Sequence, residues 1–563
     1  MAPAQLPLKS TTFSTLPRFV MPMADWTKDL CDHHMPAPLC EKLVRRAVTA
    51  KWGLVSASTA AGVIMFVALL NTVLAPAAVR PKPPGAGHRR SRRPLVASWM
   101  KLVMAVWVGA IAYFVVVQTD MRLDYFIKRL GRIAMSLLPP LYFLTLRPSP
   151  LPRTLYLQVL PLHRWLSVVV LILSCLHAFA YSYYYYLNGV LLDKLKNLNN
   201  FLGIVALALY LLAGLTSWLR FKKYNLFYFV HVVNAWGSLY LLQRHSRPRS
   251  NGYLAACLAI LVGQVIFRVY YTANSRIRVQ YVTNTLMLVT IPKAQLPQRF
   301  WAWSPGSHVR LSGPIYNPVN WFKSSHPYTI ASLPDESDVK LVVRKGNFPL
   351  KLRHDYSIFG PHTALPKFLT QQLNQGKIKR VLFVAGGSGI AFSAPVFRYF
   401  RVHGVELRMV WAIRNPYDVK VLKLLQLQDE VARGSIEIFY TGAQAMDEAE
   451  DIFELDIFDG CADPITASAT DDPHRRFRDP LVRQCAPHMM HARPHLDLRL
   501  KSWLYGLAAD DEDCCCADRL IEVNEQSREG ALVIATGNPL LVKDAELWAR
   551  RAGVCFFQEE FSM

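Results

Sequence analysis

At 563 residues the chain exceeds one domain, and a 52% hydrophobic content with positive mean hydropathy points to a membrane protein. The formal charge of +24 is carried by loops beside apolar segments, with no aromatic-basic module of the kind that reads RNA or DNA. This argues for anionic lipid headgroups and against nucleic acid. The ten cysteines show no paired C-x-x-C spacing, which argues against a zinc site or a disulfide scaffold.

Residues 1–48 are polar and proline-spotted, carry no cleavable signal peptide, and read as a non-cytosolic N-terminal segment. Apolar stretches long enough to cross a bilayer follow near 52–75, 97–118, 158–183, 201–219, 225–245 and 252–272. A seventh, near 125–147, holds Lys128, Arg129 and Arg132 in its first turns and is interrupted by Pro139-Pro140. Together they predict a multi-pass α-helical membrane domain of about seven helices over residues 49–274. The most basic connection, KPPGAGHRRSRRP at 82–94, is expected in the cytosol. An odd number of helices then leaves the N-terminus outside or in a lumen and everything after 272 in the cytosol. Endoplasmic reticulum and plasma membrane both fit.

Two of these helices are bracketed by histidines: HRWLSVVVLILSCLH at 163–177 and HVVNAWGSLYLLQRH at 231–245. Fourteen residues of α-helix rise about 21 Å and turn to within roughly 40° of the starting direction. Each bracket therefore sets two imidazoles on nearly one face, one towards each side of the hydrocarbon core. The bracketed helices run parallel, which levels His163 with His231 and His177 with His245. One histidine at a helix end is ordinarily an interfacial residue; four in two equal brackets form a pattern. Imidazole ligates haem iron, and bundle cofactors are held from facing helices. The pattern predicts two b-type haems stacked across the membrane, each with both axial positions filled, suited to passing electrons.

Beyond Tyr271 the pattern changes to alternating strands, RIRVQYV, TLMLVTI, HVRLSG and VKLVVRK, which predict an antiparallel β-barrel over 275–365. Residues 366–563 read as an α/β domain with a parallel sheet, from the strands in KRVLFVAGGSGI, VELRMVWAIR, SIEIFYTG and ALVIATGNP. An irregular, acidic, cysteine-spotted insertion occupies about 443–529. AGGSGI (385–390) stands between a strand and a helix, where a backbone turn and a helix N-terminus suit a phosphate.

In these motifs the chain resembles the ferric reductase and NADPH oxidase superfamily, and is most similar to the yeast metalloreductase-like NADPH oxidases. The likeness runs from about 95 to the C-terminus through LGRIA (130–134), LRPSPL (146–151), both histidine brackets, HPYTIAS (326–332), VLFVAGGSGI, VWAIR (410–414), ARPHL (492–496) and QEEF (558–561). It implies a ferredoxin-reductase-like cytosolic module in which the barrel binds FAD and the α/β domain binds NADPH. His326, Pro327, Tyr328, Thr329 and Ser332 would hold the flavin, with Phe561 near its ring. Gly386, Gly387, Ser388 and Gly389 would face the nicotinamide nucleotide, and Arg414 and Arg493 its phosphate end. Gly360-Pro361 is expected as a turn at the junction of the two domains.

The implied activity is electron transfer from NADPH through FAD, an inner haem (His163, His231) and an outer haem (His177, His245). The acceptor is a small molecule on the far side, either dioxygen, giving superoxide, or ferric or cupric ion. Two departures support the alternative of a catalytically impaired scaffold or regulator. Pro349 stands where the family usually offers a hydroxyl to the FAD pyrophosphate, and Thr536 replaces the family's cysteine before Gly-Pro, a change that bears on nicotinamide placement.

Overall fold

The computed structural model describes residues 36–79, 92–120, 122–151, 156–246, 248, 250–345, 350–351, 354–442, 480–485, 489–490, 492, 494, 496, 498–505 and 530–560. The basic loop at 82–91, Pro349, Arg493, Phe561 and most of the insertion lie outside them. Two compact units emerge, the helices up to Tyr270 and the sheets that follow.

The first unit contains α1 (Ala37–Val79), α2 (Arg92–Val116), α3 (Leu123–Ser136), α4 (Leu138–Phe143), α5 (Tyr156–Leu187), α6 (Leu191–Lys196), α7 (Leu198–Thr216), α8 (Tyr224–Ser246) and α9 (Asn251–Tyr270). Among the described residues, four helical stretches have the length and composition to cross a membrane: Pro38–Leu70, Val159–Leu187, Leu198–Phe221 and Asn251–Tyr270. Large apolar side chains are exposed on them and on α2, including Leu102, Val106, Ile172, Phe179, Leu215 and Ile266. In a lipid solvent this is the expected face, because hydrocarbon welcomes it as well as a core does. Inside, Trp107, Ile133, Leu137, Leu138 and Leu166 are fully buried.

Two boundaries differ from expectation. Helix α1 begins at Ala37, within the segment read as a polar N-terminus. The stretch at 125–147 is not one helix: α3 stops at Leu137, and Pro139-Pro140 open α4 in its first turn. There the missing proline N–H groups would have been unpaired anyway. Nor do the three cations of α3 face lipid together. Arg129 is buried and donates to the carbonyls of Phe114 and Val117 (3.1 and 3.3 Å), which close the C-terminal end of α2. Arg132 donates to Ser250 Oγ (3.3 Å) and lies over the Tyr253 ring, while Lys128 pairs with Asp124.

In the second unit, β1 (Thr272–Arg276), β2 (Arg278–Tyr281), β3 (Leu286–Pro292), β4 (His308–Ser312), β5 (His326–Thr329), β6 (Asp338–Arg344) and β7 (Asp355–His362) are all paired antiparallel. The barrel is built as two sheets, ordered β1-β7-β4-β5 and β2-β3-β6. They share a core of Ile277, Val289, Leu311, Ile330, Leu341 and Ile358, and an Ile330–Leu341 bridge joins them. Gly360-Pro361 corrects the reading of a junction turn, because it lies inside β7. The register against β4 slips between His308 and Arg310, so the pair forms a bulge there. Gly360, at φ +131°, supplies a backbone angle that side chains avoid.

Helix α10 (Lys367–Asn374) leads into β8 (Arg380–Gly386), α11 (Ile390–Val402), β9 (Glu406–Ile413), α12 (Lys420–Leu424), α13 (Gln428–Ala432) and β10 (Ile436–Tyr440). Then come α14 (Pro480–Cys485), β11 (Met489–Met490), α15 (Leu498–Tyr505), β12 (Ala531–Gly537), α16 (Pro539–Ala552) and β13 (Cys555–Glu560). The six strands are parallel in the order β11-β10-β9-β8-β12-β13. The insertion is therefore not irregular throughout, since its later part adds β11 to the sheet edge. Chain order runs outward from β8 on one side and resumes at β12 on the other. That reversal is the topological switch point where open α/β sheets bind ligands, at the carboxyl ends of their strands.

Candidate functional sites

The four bracket histidines come together in two pairs. The His163 and His231 rings have centroids 6.2 Å apart, and those of His177 and His245 are 6.3 Å apart. A metal held by two imidazoles, with bonds of about 2.0 Å and roughly 1 Å more to each ring centre, sets the centroids about 6 Å apart. Both spacings suit an iron with two axial imidazoles, on the levels that the brackets set along α5 and α8.

Backbone carbonyls orient three of these rings. His177 Nδ1 donates to Ile127 O (2.8 Å), His245 Nδ1 to Asn199 O (2.8 Å) and His163 Nδ1 to Leu141 O (3.2 Å). Donation from Nδ1 leaves Nε2 with a free lone pair able to ligate a metal, and raises its basicity. How an imidazole reaches a helical carbonyl is explained by two glycines. In a helix the Cβ of residue i+4 leans back over the carbonyl of residue i. Four residues after Ile127 stands Gly131, and four after Asn199 stands Gly203. A Cβ on Gly131 would meet His177 Cε1 at 2.6 Å, and one on Gly203 would meet His245 Nδ1 at 2.5 Å. Leu141 needs no such glycine, since it lies in the last turn of α4, where carbonyls have no helical partner.

In the second unit, His326, Pro327, Tyr328 and Thr329 form β5, the edge strand of its sheet. Proline suits an edge, having no N–H to offer a further strand, and Pro327 is exposed. Arg310, opposite on β4, fixes the strand's approach by donating from Nε to Ser325 Oγ (2.9 Å) and from Nη2 to Ser325 O (2.6 Å). Burial and then the Arg310 charge push the His326 imidazole below its ordinary range. Burial and the neighbouring Tyr356 push the Tyr328 hydroxyl up to about 12, so that it remains a neutral donor. Ser332 is placed differently from its strand neighbours. Fully buried, its hydroxyl accepts the Lys340 N–H (3.0 Å) and so ties the segment after β5 to β6.

The glycine turn occupies the switch point. Gly386 ends β8, Gly387 takes φ +51°, and Gly387–Gly389 form a single 3-10 turn ahead of α11. Trp411 Nε1 donates to Gly387 O (3.1 Å), and Thr536 Oγ1 donates to Gly389 O (3.1 Å) while bonding Ser393 Oγ (2.9 Å). A Cβ on Gly389 would meet Thr536 O at 2.8 Å. Close approach of β12, not flexibility, thus requires glycine there. Ser388 is partly exposed on the turn, and Arg414 is exposed just past β9. Glu336 links the barrel to α11, pairing with Lys340 (3.0 Å) and Arg398 (2.6 Å).

Sequence reasoning did not foresee Gly203, the three carbonyls, Arg310 or the support given by Thr536. Gly131 was visible within LGRIA, but only as part of a motif.

Three family models match successive parts of the chain: the ferric reductase like transmembrane component at 130–242, an FAD-binding domain at 271–364 and the ferric reductase NAD binding domain at 378–543. A probable metalloreductase AIM14 of Debaryomyces hansenii is 30% identical over 448 residues, which cover 78% of this chain and 82% of that protein. The AIM14 protein of Yarrowia lipolytica is 33% identical over 361 residues, 63% of this chain and 65% of its own length. A probable ferric reductase transmembrane component of Eremothecium gossypii is 31% identical over 395 residues, 64% of this chain and 56% of that protein. The chain thus spans less than two thirds of the latter two.

Proposed function

We propose, for a chain that belongs to the family of ferric reductase transmembrane components and metalloreductases, that it carries electrons from cytosolic NADPH through FAD and two b-type haems to ferric or cupric ion across the membrane. The observation that carries this reading is the double imidazole pair, with its 6.2 and 6.3 Å spacings. Held here, the flavin would supply hydride acceptance and one-electron release, and the haems a one-electron relay, a chemistry that balances as one NADPH oxidised for two ferric ions reduced and one proton released.

The chain's own part is to hold and orient. His163 and His231 would hold the inner iron, and His177 and His245 the outer one, and with both imidazoles of each pair so used neither iron would offer a position to substrate. Tyr328 on β5 would lie against the flavin ring, with His326, Pro327 and Thr329 around it, and Phe561, outside the described residues, would join the same site. Ser332 acts one step back, by holding the strand. Gly386, Gly387, Ser388 and Gly389 would admit the nucleotide to the end of β8, and the guanidinium groups of Arg414 and of Arg493, which is outside the described residues, would take its phosphates.

Two features support the inside-out orientation. The basic loop at 82–94 favours the cytosol, and Cys40, in the first turn of α1, is disulfide-bonded, as thiols are in oxidising compartments. Metal ion is preferred to dioxygen as acceptor because the curated relatives carry the name metalloreductase. The test is a reduced-minus-oxidised spectrum of the purified chain, with haem counted per polypeptide, followed by NADPH-driven ferric reduction with superoxide dismutase present. Two haems and dismutase-insensitive reduction are expected. A protein without haem ends the reading, and dismutase-sensitive reduction moves the acceptor to dioxygen.

A further inference from the structure

Three of the four haem-level imidazoles donate their Nδ1–H to a backbone carbonyl; the fourth does not. His231 Nδ1 is buried with no hydrogen-bond partner among the described residues. Three residues further along α8, Asn234 is 6% exposed, and its Oδ1 is likewise buried without a partner. An orphaned donor and an orphaned acceptor thus stand one helical turn apart, i to i+3, the spacing at which side chains are neighbours. Helical side chains also lean toward the N-terminus, which carries the Asn234 amide back over the turn that holds His231.

We infer that Asn234 is the positioning residue for His231, accepting its Nδ1–H directly or through one buried water. The inference rests on the di-haem reading above. Each orphaned group alone would forfeit the desolvation cost of an unmade hydrogen bond, and pairing them removes both losses. It also fits the direction of electron flow. A hydrogen-bonded Nδ1–H makes its imidazole more basic, which favours ferric iron and lowers the potential. Both outer ligands, His177 and His245, have strong carbonyl acceptors at 2.8 Å. Of the inner ligands, only His163 has one, and it is longer at 3.2 Å. Left with a bare His231, the inner site would hold its electron more tightly than the outer site and resist passing it on. An acceptor at Asn234 restores the balance.

The experiment is a potentiometric titration, read by absorbance, of full-length Asn234→Leu, Asn234→Ala and Asn234→Gln, with haem counted per chain. The Leu and Ala variants should keep two haems, while one of the two midpoints rises. A tenfold loss of ferric over ferrous preference is expected, which is about 59 mV for one electron. Asn234→Gln retains an amide oxygen and should bring the midpoint most of the way back to that of the unaltered chain. Unchanged midpoints in haem-replete Leu or Ala variants overturn the proposal, as does an equal shift of both haems, which would mark a general structural effect. An unaltered protein without haem instead sinks the reading on which this one stands.

Discussion

A methyl group decides whether an imidazole can reach a helical carbonyl in this bundle. Gly131→Ala would drive a Cβ into His177, and Gly203→Ala one into His245, at 2.6 and 2.5 Å from ring atoms. Real contacts do not come that close, so the ring must leave its carbonyl. Each variant should lose the outer haem and keep the inner, halving the haem count per chain, with an overpacking penalty of about 1–3 kcal/mol. Gly109→Ala, on α2 with nothing within 4 Å of its Cβ, is the control and should keep both. Elsewhere a single carboxyl sets a pH response. Burial pushes Asp418 up to about 6, against the hydrogen bond from Thr283 Oγ1 (2.9 Å). The folded unit then retains a proton that the unfolded chain gives up near pH 4, so stability falls as pH rises from about 4 to 6 and levels off above. The loss is roughly 3 kcal/mol for a shift of about two units. Asp418→Asn keeps the acceptor for Thr283 and should flatten this slope, raising Tm at pH 7.5 when flavin release from the detergent-solubilised chain is followed. Neither site was legible in the sequence. Gly203 and Asp418 belong to contacts between elements, which a linear pattern does not record, whereas the histidines announced themselves because helical periodicity alone brings them to one face.

At the scale of elements, the departure at Thr536 receives a physical reading. Its hydroxyl spans Gly389 O and Ser393 Oγ beneath the glycine turn, in a fully buried position. The threonine therefore serves the turn and lends no support to an impaired scaffold. Thr536→Val preserves shape but leaves Gly389 O and Ser393 Oγ without this partner, a penalty of about 1–3 kcal/mol. The turn should loosen, so that the KM for NADPH rises while flavin content stays unchanged in steady-state assays of the purified chain. Strands were the most legible elements, because β8, β9, β10 and β12 are short apolar runs between turn residues. β7 was not, since Gly360-Pro361 reads as punctuation in a sequence but here forms a bulge inside a strand. The stretch at 125–147 misled in the opposite sense. Hydropathy joins α3 to α4, and only the break at Leu137 shows that the prolines begin a second helix.

Across the whole molecule, the proposed electron path would divide the activity into separable parts. The candidate flavin residues on β5 and the glycine turn after β8 belong to the second unit, and the four histidines to the first. A soluble dye that takes electrons from the flavin module needs none of the histidines, whereas a membrane-impermeant ferric chelate on the far side needs both pairs. His177→Ala removes one ligand of the outer pair and leaves His163 and His231 with their 6.2 Å spacing. It should therefore retain NADPH-driven dye reduction within about twofold and keep one reducible haem, while chelate reduction in sealed vesicles falls by at least two decades, or about 2.7 kcal/mol of lost transition-state stabilisation. His231→Ala should also abolish chelate reduction, but NADPH should then fail to reduce the remaining outer haem, because its donor level is missing. The order of the two levels follows from this contrast alone. If NADPH still reduces the remaining haem in His231→Ala at the rate of the unaltered chain, the pairs do not act in series, and the stacked arrangement is not the electron path.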